Sequence, residues 1–223
     1  MKIYSIHYNK PEYIAIQKKL LDKYFNFDFD FIVVNNAIDQ SIKENIKLES
    51  KKIGVRTIDC HNNIKSMDSI SHQNSFNYII SDLKESDDFL ILDHDVFVIE
   101  TIDKSYFMDY DMVYLPQPRN EIEYPWPGFI YFNRSINKEE ISFTSGVING
   151  NACDTGAGLY YYITKNKDLK IKKITENHIN IENNMISNLD DRFIHLVGGS
   201  GWNRNVNLEQ KINYLNNILN GKI

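Results

Sequence analysis

The first 115 residues alternate between short apolar runs and stretches with apolar side chains every three or four positions. Apolar runs bounded by polar residues predict strands, and the helical spacing predicts amphipathic helices. The predicted strands span 2–8, 28–37, 54–60, 88–95 and part of 108–117, and the predicted helices span 11–25, 41–52 and 67–85. Strands that alternate with helices are typical of βαβ units. We therefore expect an α/β fold with a mostly parallel central sheet flanked by helices.

The pattern changes after residue 116. Four of the five prolines stand in 116–128, which predicts a long loop, and 129–135 and 141–150 resemble antiparallel strands. The remaining predicted elements are a helix over 154–166 with Asp154 at its N-terminal cap, strands over 169–175 and 192–197, and a C-terminal helix over 207–220. We expect this smaller, partly antiparallel half to shape a pocket over the first half.

Composition indicates one globular domain over residues 1–223, with a first half over 1–115 and a second over 116–223, because no Gly/Ser or Pro linker divides the chain. A net charge of −5 argues against nucleic acid as the main partner. No apolar run is long enough for a transmembrane segment, and the N-terminus lacks the apolar core of a signal peptide. We expect a cytoplasmic protein, with peripheral membrane association left open. Cys60 and Cys153 are predicted to be buried free thiols.

Polar residues follow four of the predicted strands at their carboxyl ends. They are "HYN" at 7–9, "NNA" at 35–37, "CHNN" at 60–63 and "DHD" at 93–95. Ligands of open α/β sheets bind outside the carboxyl ends of the strands. The sequence therefore predicts a binding site along this edge.

The stretch "LILDHDVFVI" at 90–99 places two carboxylates at the end of the most apolar strand. On a strand, Asp93 and Asp95 point to the same face, where they would repel each other without a positive partner. Oxygen ligands suit Mn²⁺ or Mg²⁺, which commonly joins carboxylates to substrate phosphates. The alternative is a chance pattern, because the chain has 30 acidic residues.

The segment "FIHLVGGSGWNR" supplies the other candidate ligands. His195 is the natural third metal ligand, and the alternative is a buried core histidine. The glycines that follow could form a nest of backbone N–H groups for a phosphate, or an ordinary tight turn. Arg204 could neutralise a diphosphate, or lie on the surface.

These segments together resemble the glycosyltransferases of the GT-A fold, over Met1 to about Arg204. The resemblance is carried by "IYSIHYNKPEYIAIQKKLL" with "FIVVNNA", by "SISHQNSFNYII" with "DDFLILDHDVFVI", by "PGFIYFNRS" and by "FIHLVGGSGW". It implies a UDP- or GDP-linked sugar donor, a Mn²⁺ or Mg²⁺ cofactor, and transfer to an acceptor hydroxyl of a glycan or glycoprotein.

The resemblance also implies residue roles. Asp93, Asp95 and His195 would form the metal site, with Asp93 also contacting the donor ribose and metal-bound water. The implied donor contacts are His7, Tyr8, Asn35, His72, Asn77, Asp93, Gly199 and Arg204. For His72 and Asn77 an ordinary helix-surface position is the alternative. The implied acceptor contacts are Trp126, Gly128 and Arg134, and Trp126 suits stacking on a sugar or packing within the loop.

An inverting transferase needs a base that takes the acceptor proton. Asp154 is the first candidate, with a plain helix cap as its alternative, and Asp190 and Asp191 are weaker ones. The chain departs from some relatives, because "GGSGW" stands where Lys-Pro-Trp would follow the late histidine, and no Glu-Asp pair marks the base. The stereochemical outcome stays open, with inversion favoured, and the oligomeric state is not indicated.

Two other functions compete with this interpretation. One is a non-catalytic module that binds a nucleotide or a glycan on the same fold. The other is a sugar-phosphate nucleotidyltransferase, which needs a glycine-rich N-terminal loop, whereas "SIHYNKPEY" contains no glycine. Retention of all three residues Asp93, Asp95 and His195 favours the transferase over the binding module.

Overall fold

The computed structural model describes residues 1–61, 68–181, 184–197 and 208–221. The helices are α1 (Glu12–Tyr24), α2 (Gln40–Lys52), α3 (Asp68–Asp82), α4 (Ser105–Met108), α5 (Ala157–Lys165) and α6 (Leu208–Leu219), with a 3₁₀ turn at Lys138–Glu140. The strands are β1 (Lys2–His7), β2 (Asp30–Asn35), β3 (Arg56–Asp59), β4 (Phe89–Asp93), β5 (Val96–Val98), β6 (Met112–Arg119), β7 (Ile122–Phe132), β8 (Gly146–Ile148), β9 (Asn151–Cys153), β10 (Ile171–Lys173), β11 (Glu176–Ile181), β12 (Asn184–Leu189) and β13 (Phe193–His195).

The central sheet confirms the predicted fold class. Within the described ranges it has seven strands in the order β10-β6-β7-β4-β1-β2-β3. The β10–β6, β4–β1, β1–β2 and β2–β3 pairs are parallel, and β7 runs antiparallel to both of its neighbours. A second sheet, β11-β12-β13-β5, is antiparallel, as is the small β8–β9 pair.

The parallel strands are apolar without alternation because helices cover both faces of the sheet. Side chains on one face of the sheet, such as Ile3 and Leu90, belong to the core that includes residues of α1 and α6. Side chains on the other face, such as Tyr4 and Ile91, pack with residues of α3 and α5. Both faces are therefore dry, and the polar residues of these strands collect at the strand ends.

The predicted strand over 88–95 is wrong at its C-terminal end. β4 ends at Asp93, residues 94 and 95 form a turn, and the chain continues as β5 into the second sheet. The side-chain amide of Gln17 donates to the carbonyl oxygens of Asp93 and Val96, at 3.1 and 2.8 Å. These bonds satisfy the backbone on either side of this turn, so the apolar sequence can leave one sheet for the other.

The predicted loop over 116–128 is also wrong, because the structure has a β6–β7 hairpin there. Asn120 occupies the turn with φ of 51°, a conformation that asparagine tolerates. The neighbouring strands pair with the hairpin outside its proline-containing part. β10 pairs with residues 112–114 of β6, and β4 pairs with residues 129–132 of β7. Proline is compatible with such free strand edges, which need no N–H donor.

The helix predicted over 154–166 begins later, at Ala157, and Gly156 rather than Asp154 is its N-cap. The Asp154 carboxylate instead accepts the backbone N–H of Gly156, at 3.1 Å. Strands β11 and β12 were not predicted, because their polar, asparagine-rich sequence lacks a strand pattern. Cys60 and Cys153 are buried and free, as predicted. In the described ranges, no helix combines the length and apolar character required to cross a bilayer.

Candidate active site

The carboxyl ends of the first four strands lie side by side, as the sequence predicts. His7 is in register with Asn35, Asn35 with Asp59, and Ile6 with Asp93. Asn62 and Asn63 of "CHNN" lie outside the described residues. This edge, which we call the rim, is where open α/β sheets bind ligands.

Asp93 is held by a histidine of α3. Nε2 of His72 lies 3.2 Å from Oδ1 of Asp93, and its Nδ1 lies 3.4 Å from the hydroxyl oxygen of Thr155. Burial alone would raise the pKa of Asp93, but His72, followed by His94 and His195, outweighs burial and lowers it. Burial would lower the pKa of His72, and the Asp93 carboxylate outweighs burial and raises it. The pair therefore favours a carboxylate hydrogen-bonded to an imidazolium.

Gly128 allows β7 to approach this carboxylate closely. A Cβ atom at Gly128 would lie 2.7 Å from Oδ2 of Asp93 and 2.4 Å from the ring of Trp126. The Trp126 ring in turn packs on the His195 ring, with centroids 4.6 Å apart. Two of the three predicted acceptor contacts, Trp126 and Gly128, thus lie at the rim.

Asp95 and His195 form the second part of the site. Asp95 is 4% exposed, and its Oδ1 lies 3.7 Å from Nε2 of His195. This separation is too long for a hydrogen bond. His195 reaches this position because β13 pairs with β5, which places it opposite Val96. Nδ1 of His195 is buried and finds no hydrogen-bond partner among the described residues.

The donor atoms at this site match the chemistry of a hard divalent cation. Two carboxylates and an imidazole suit Mn²⁺, and Asp95 and His195 face each other without a direct bond. Over the described ranges, however, no group of three or more His, Cys, Asp or Glu side chains is already gathered around one point. Oδ1 of Asp93 is already engaged by His72, so the residues fit a metal through the Asp95–His195 pair with Asp93 adjacent.

Asp154 lies near this site but does not contact Asp93 directly in the described bonds. Its backbone N–H donates to the hydroxyl of Tyr124, at 3.4 Å, and its charge contributes to the raised pKa of His72. The next residue, Thr155, contacts His72. The structure therefore brings the first base candidate to the His72 side of the rim.

Several predicted site residues are engaged elsewhere. Asn35 is fully buried, and its amide donates to the Lys43 carbonyl and to Asp59. Arg134 forms an ion pair with Asp88, and this pair lies at the end of β4 that is opposite to the rim. Asp191 lies with Asp190 in the β12–β13 turn, at the other end of β13 from His195.

The remaining predicted donor contacts divide in three ways. His7 lies at the rim but is fully buried, and Tyr8 follows it in a half-buried position. Asn77 is exposed on α3 next to the buried Phe76, and it does not share the helix face of His72. Gly199 and Arg204 lie outside the described residues.

Sequence reasoning missed the buried layer that supports the turn. The hydroxyl of Ser5 donates to Oε1 of Gln17 at 2.6 Å and lies 3.0 Å from Nε2 of His7. Nδ1 of His94 lies 3.1 Å from the Ile6 carbonyl oxygen. A polar glutamine among the apolar positions of α1 is the one signal that could have indicated this network.

Comparisons with known proteins found only distant structural similarity. No family model and no curated protein matches the chain. Similar solved structures include the apo form of glycosyltransferase GlyE in Streptococcus pneumoniae TIGR4, with 16% identity, 77% of this chain and 44% of that chain covered, and a TM-score of 0.45. Another is galactosyltransferase LgtC in complex with donor and acceptor sugar analogs, with 15% identity, 76% and 66% coverage, and a TM-score of 0.41.

A third similar structure is S. aureus TarS, with 16% identity, 63% of this chain and 31% of that chain covered, and a TM-score of 0.40. The chain thus spans less than two thirds of each of these proteins. GlyE and LgtC are glycosyltransferases. The fold class itself rests on the strand order described above, and these similarities assign no substrate and no residue role to this protein.

Proposed function

We propose that this protein is a metal-dependent glycosyltransferase that moves a sugar from a UDP- or GDP-linked donor to an acceptor hydroxyl of a glycan, polysaccharide or glycoprotein. The observation that carries the proposal is the 3.7 Å approach of Asp95 and His195 at the carboxyl end of the central sheet, with Asp93 at the end of the adjacent strand β4. Two carboxylates and an imidazole are a donor set for Mn²⁺ or Mg²⁺, and such ions commonly bind substrate phosphates.

Asp95 and His195 would hold the metal, with Asp93 as the adjacent carboxylate. The bound metal supplies a Lewis acid for the charge that develops on the leaving diphosphate. His72 keeps Asp93 ionised and fixes its orientation through the 3.2 Å contact. This contact leaves Oδ2 of Asp93 on the side of Gly128 and Trp126.

The acceptor side is assigned to Trp126 and Asp154. The Trp126 ring packs against His195, and indole faces suit stacking on a sugar. Asp154 is the candidate base that takes the proton of the acceptor hydroxyl, which would give an inverting transferase. Arg134 and Asp191 are left out of this proposal, because Arg134 pairs with Asp88 and Asp191 lies in the β12–β13 turn, both away from the rim.

The proposal is tested by isothermal titration of UDP and of GDP, each with and without Mn²⁺, into the wild type and Asp95→Asn. We expect Mn²⁺-dependent binding of one nucleotide, and an affinity about tenfold or more weaker in Asp95→Asn. Asp22→Asn is the matched control, because Asp22 is an exposed helix residue paired with Lys18. Equal binding in all three proteins would remove the carboxylate pair from the function.

Turnover separates an enzyme from a binding module. A transferase should slowly hydrolyse its nucleotide-sugar without an acceptor, and Asp95→Asn should not. Mn²⁺-dependent nucleotide binding without any hydrolysis or transfer would favour the non-catalytic module instead.

A further inference from the structure

Helix α6 carries a lysine at a core position. Lys211, Leu215 and Ile218 follow one another at helical spacing, and they are 2%, 0% and 5% exposed. A stable amphipathic helix places an apolar residue at such a position. Lysine is almost never buried to this extent without a partner, so Lys211 departs from the local rule for a reason outside α6.

The contacts of Lys211 lead to the candidate active site. Its ammonium donates to the carbonyl oxygen of Val197 at 3.1 Å, two residues after His195. Between them, the backbone N–H of Leu196 donates to the carbonyl oxygen of Asp95 at 2.9 Å. The lysine therefore holds the backbone just after His195, which is itself hydrogen-bonded to the backbone of Asp95.

The charge of Lys211 also acts on this site. Burial lowers the pKa of Lys211, the carboxylate of Asp95 opposes that change, and Lys10 adds to it. Asp95 is thus the carboxylate whose charge favours the ammonium form of this buried lysine. In a poorly hydrated interior such an interaction is stronger than between exposed groups.

We propose that Lys211 is a positioning residue of the metal and diphosphate site, in which its buried ammonium anchors the backbone at Val197, two residues after His195, and adds a positive charge near the site. The inference rests on the proposed function. A nucleoside diphosphate is an anion, so a fixed positive charge next to its binding site favours binding without direct contact. Helix α6 thereby becomes part of the site although it contributes no ligand.

The test compares Lys211→Met with Lys211→Arg and with Lys23→Met. Methionine keeps the length and apolar stem of lysine and removes the charge and the donors. Lys23 is the matched control, because it also donates to carbonyls of α6, those of Ile218 and Leu219 at 3.3 and 3.0 Å, at the far end of the helix. Thermal melting verifies that each variant is folded.

At saturating Mn²⁺, we expect UDP or GDP to bind Lys211→Met about tenfold more weakly than the wild type, by titration calorimetry. Lys23→Met should stay within about twofold of the wild type, and Lys211→Arg should recover most of the affinity because it keeps the charge. Unchanged binding in Lys211→Met, an equal loss in Lys23→Met, or no recovery in a folded Lys211→Arg would overturn the inference.

A second measurement does not depend on a nucleotide. In the ligand-free protein, the imidazole NMR resonances of His195 should shift in Lys211→Met and not in Lys23→Met. If the wild type binds neither nucleotide, the proposed function fails, and this comparison alone decides the positioning role of Lys211. Unshifted His195 resonances in Lys211→Met would then refute it.

Discussion

Two buried histidines, one of them within the Asp93–Asp95 turn, pack against each other. His7 and His94 are 0% and 4% exposed, and their ring centroids are 5.6 Å apart. Nε2 of His94 finds no hydrogen-bond partner among the described residues. Two imidazolium ions at this separation in a dry interior would repel each other strongly. The turn therefore depends on at least one of these rings being neutral.

Protonation of His7 should destabilise the protein in mild acid. Burial, with His94 as the next cause, lowers the pKa of His7 from 6.5 to about 3. Because the unfolded chain binds this proton more readily, the stability from neutral His7 is fully present above pH 6.5. It is lost as pH falls from 6.5 toward 3, by about 1.4 kcal/mol for each pH unit.

Urea unfolding at pH 6.5 and pH 5.5 measures this effect in the wild type and in His7→Gln. The wild type should lose about 1 kcal/mol more than His7→Gln between the two pH values, less than the full value for one pH unit because the unfolded chain is already half protonated at pH 6.5. His61→Gln, which replaces an exposed histidine, should behave as the wild type. An equal loss in the wild type and His7→Gln would show that His7 is not the group that titrates.

Gly128→Ala should damage the site through steric overlap. The added Cβ would lie 2.4 Å from the Trp126 ring and 2.7 Å from Oδ2 of Asp93. We expect Mn²⁺-dependent nucleotide binding to weaken by about tenfold, and stability to fall by about 1–3 kcal/mol as in other overpacked sites. Gly146→Ala is the control, since nothing lies within 4 Å of its added Cβ. Equal behaviour of the two variants in calorimetry and melting would contradict the close packing at Gly128.

At the scale of elements, α1 determines where the first sheet ends and the second begins. Gln17 is 1% exposed, and it bonds to Ser5 of β1 and to the backbone at Asp93 and Val96. One side chain thus joins β1, the end of β4 and the start of β5. The turn that carries Asp95 therefore derives its shape from a neighbouring helix as well as from its own residues.

Replacement of Gln17 by leucine should destabilise the fold and the site together. The variant leaves two carbonyl oxygens without their donor, and one such buried group costs about 1–3 kcal/mol. Gln40→Leu removes an exposed amide that bonds to Glu44 within α2, and should change stability by about 0.5 kcal/mol or less. Urea unfolding compares the two, and equal free energies of unfolding would refute the role of Gln17.

At the scale of the whole molecule, the two ends of the central sheet have different roles. Asp88 is 4% exposed beside the amino end of β4, where it binds the guanidinium and the backbone N–H of Arg134. The proposed ligands lie at the carboxyl end, beyond the whole length of β4. The Arg134–Asp88 pair therefore joins the residues that follow β7 to the amino end of β4.

Arg134→Met should lower the melting temperature and leave nucleotide binding within about twofold of the wild type. The physical reason is that the variant deprives the buried Asp88 carboxylate of its cation, far from the rim. Asp95→Asn should show the opposite pattern, in which nucleotide binding weakens and the melting temperature is retained. Loss of nucleotide or acceptor binding in a folded Arg134→Met would restore the acceptor role that the family resemblance implies.

Local sequence pattern was sufficient for the βαβ half of the molecule. The elements from β1 to β4 fall within a few residues of their predicted bounds, because buried strands and amphipathic helices are encoded by neighbouring residues. The rule that polar strand ends face the ligand also placed Asp93 at the rim correctly. The β6–β7 and β11–β12 hairpins were missed although their strands are adjacent in the chain, because prolines in one and asparagines in the other obscure the strand pattern.

The sequence by itself determined the alternation of strands and helices, the doubly covered sheet and the edge where carboxylates collect. The tertiary structure alone decided which polar residues are available there. It satisfies Asn35 with Lys43 and Asp59, engages Arg134 with Asp88, and brings His195 and Lys211 toward Asp95. The physical reason is that periodicity follows from adjacent residues, whereas the partner of a buried polar group depends on which distant segment packs against it.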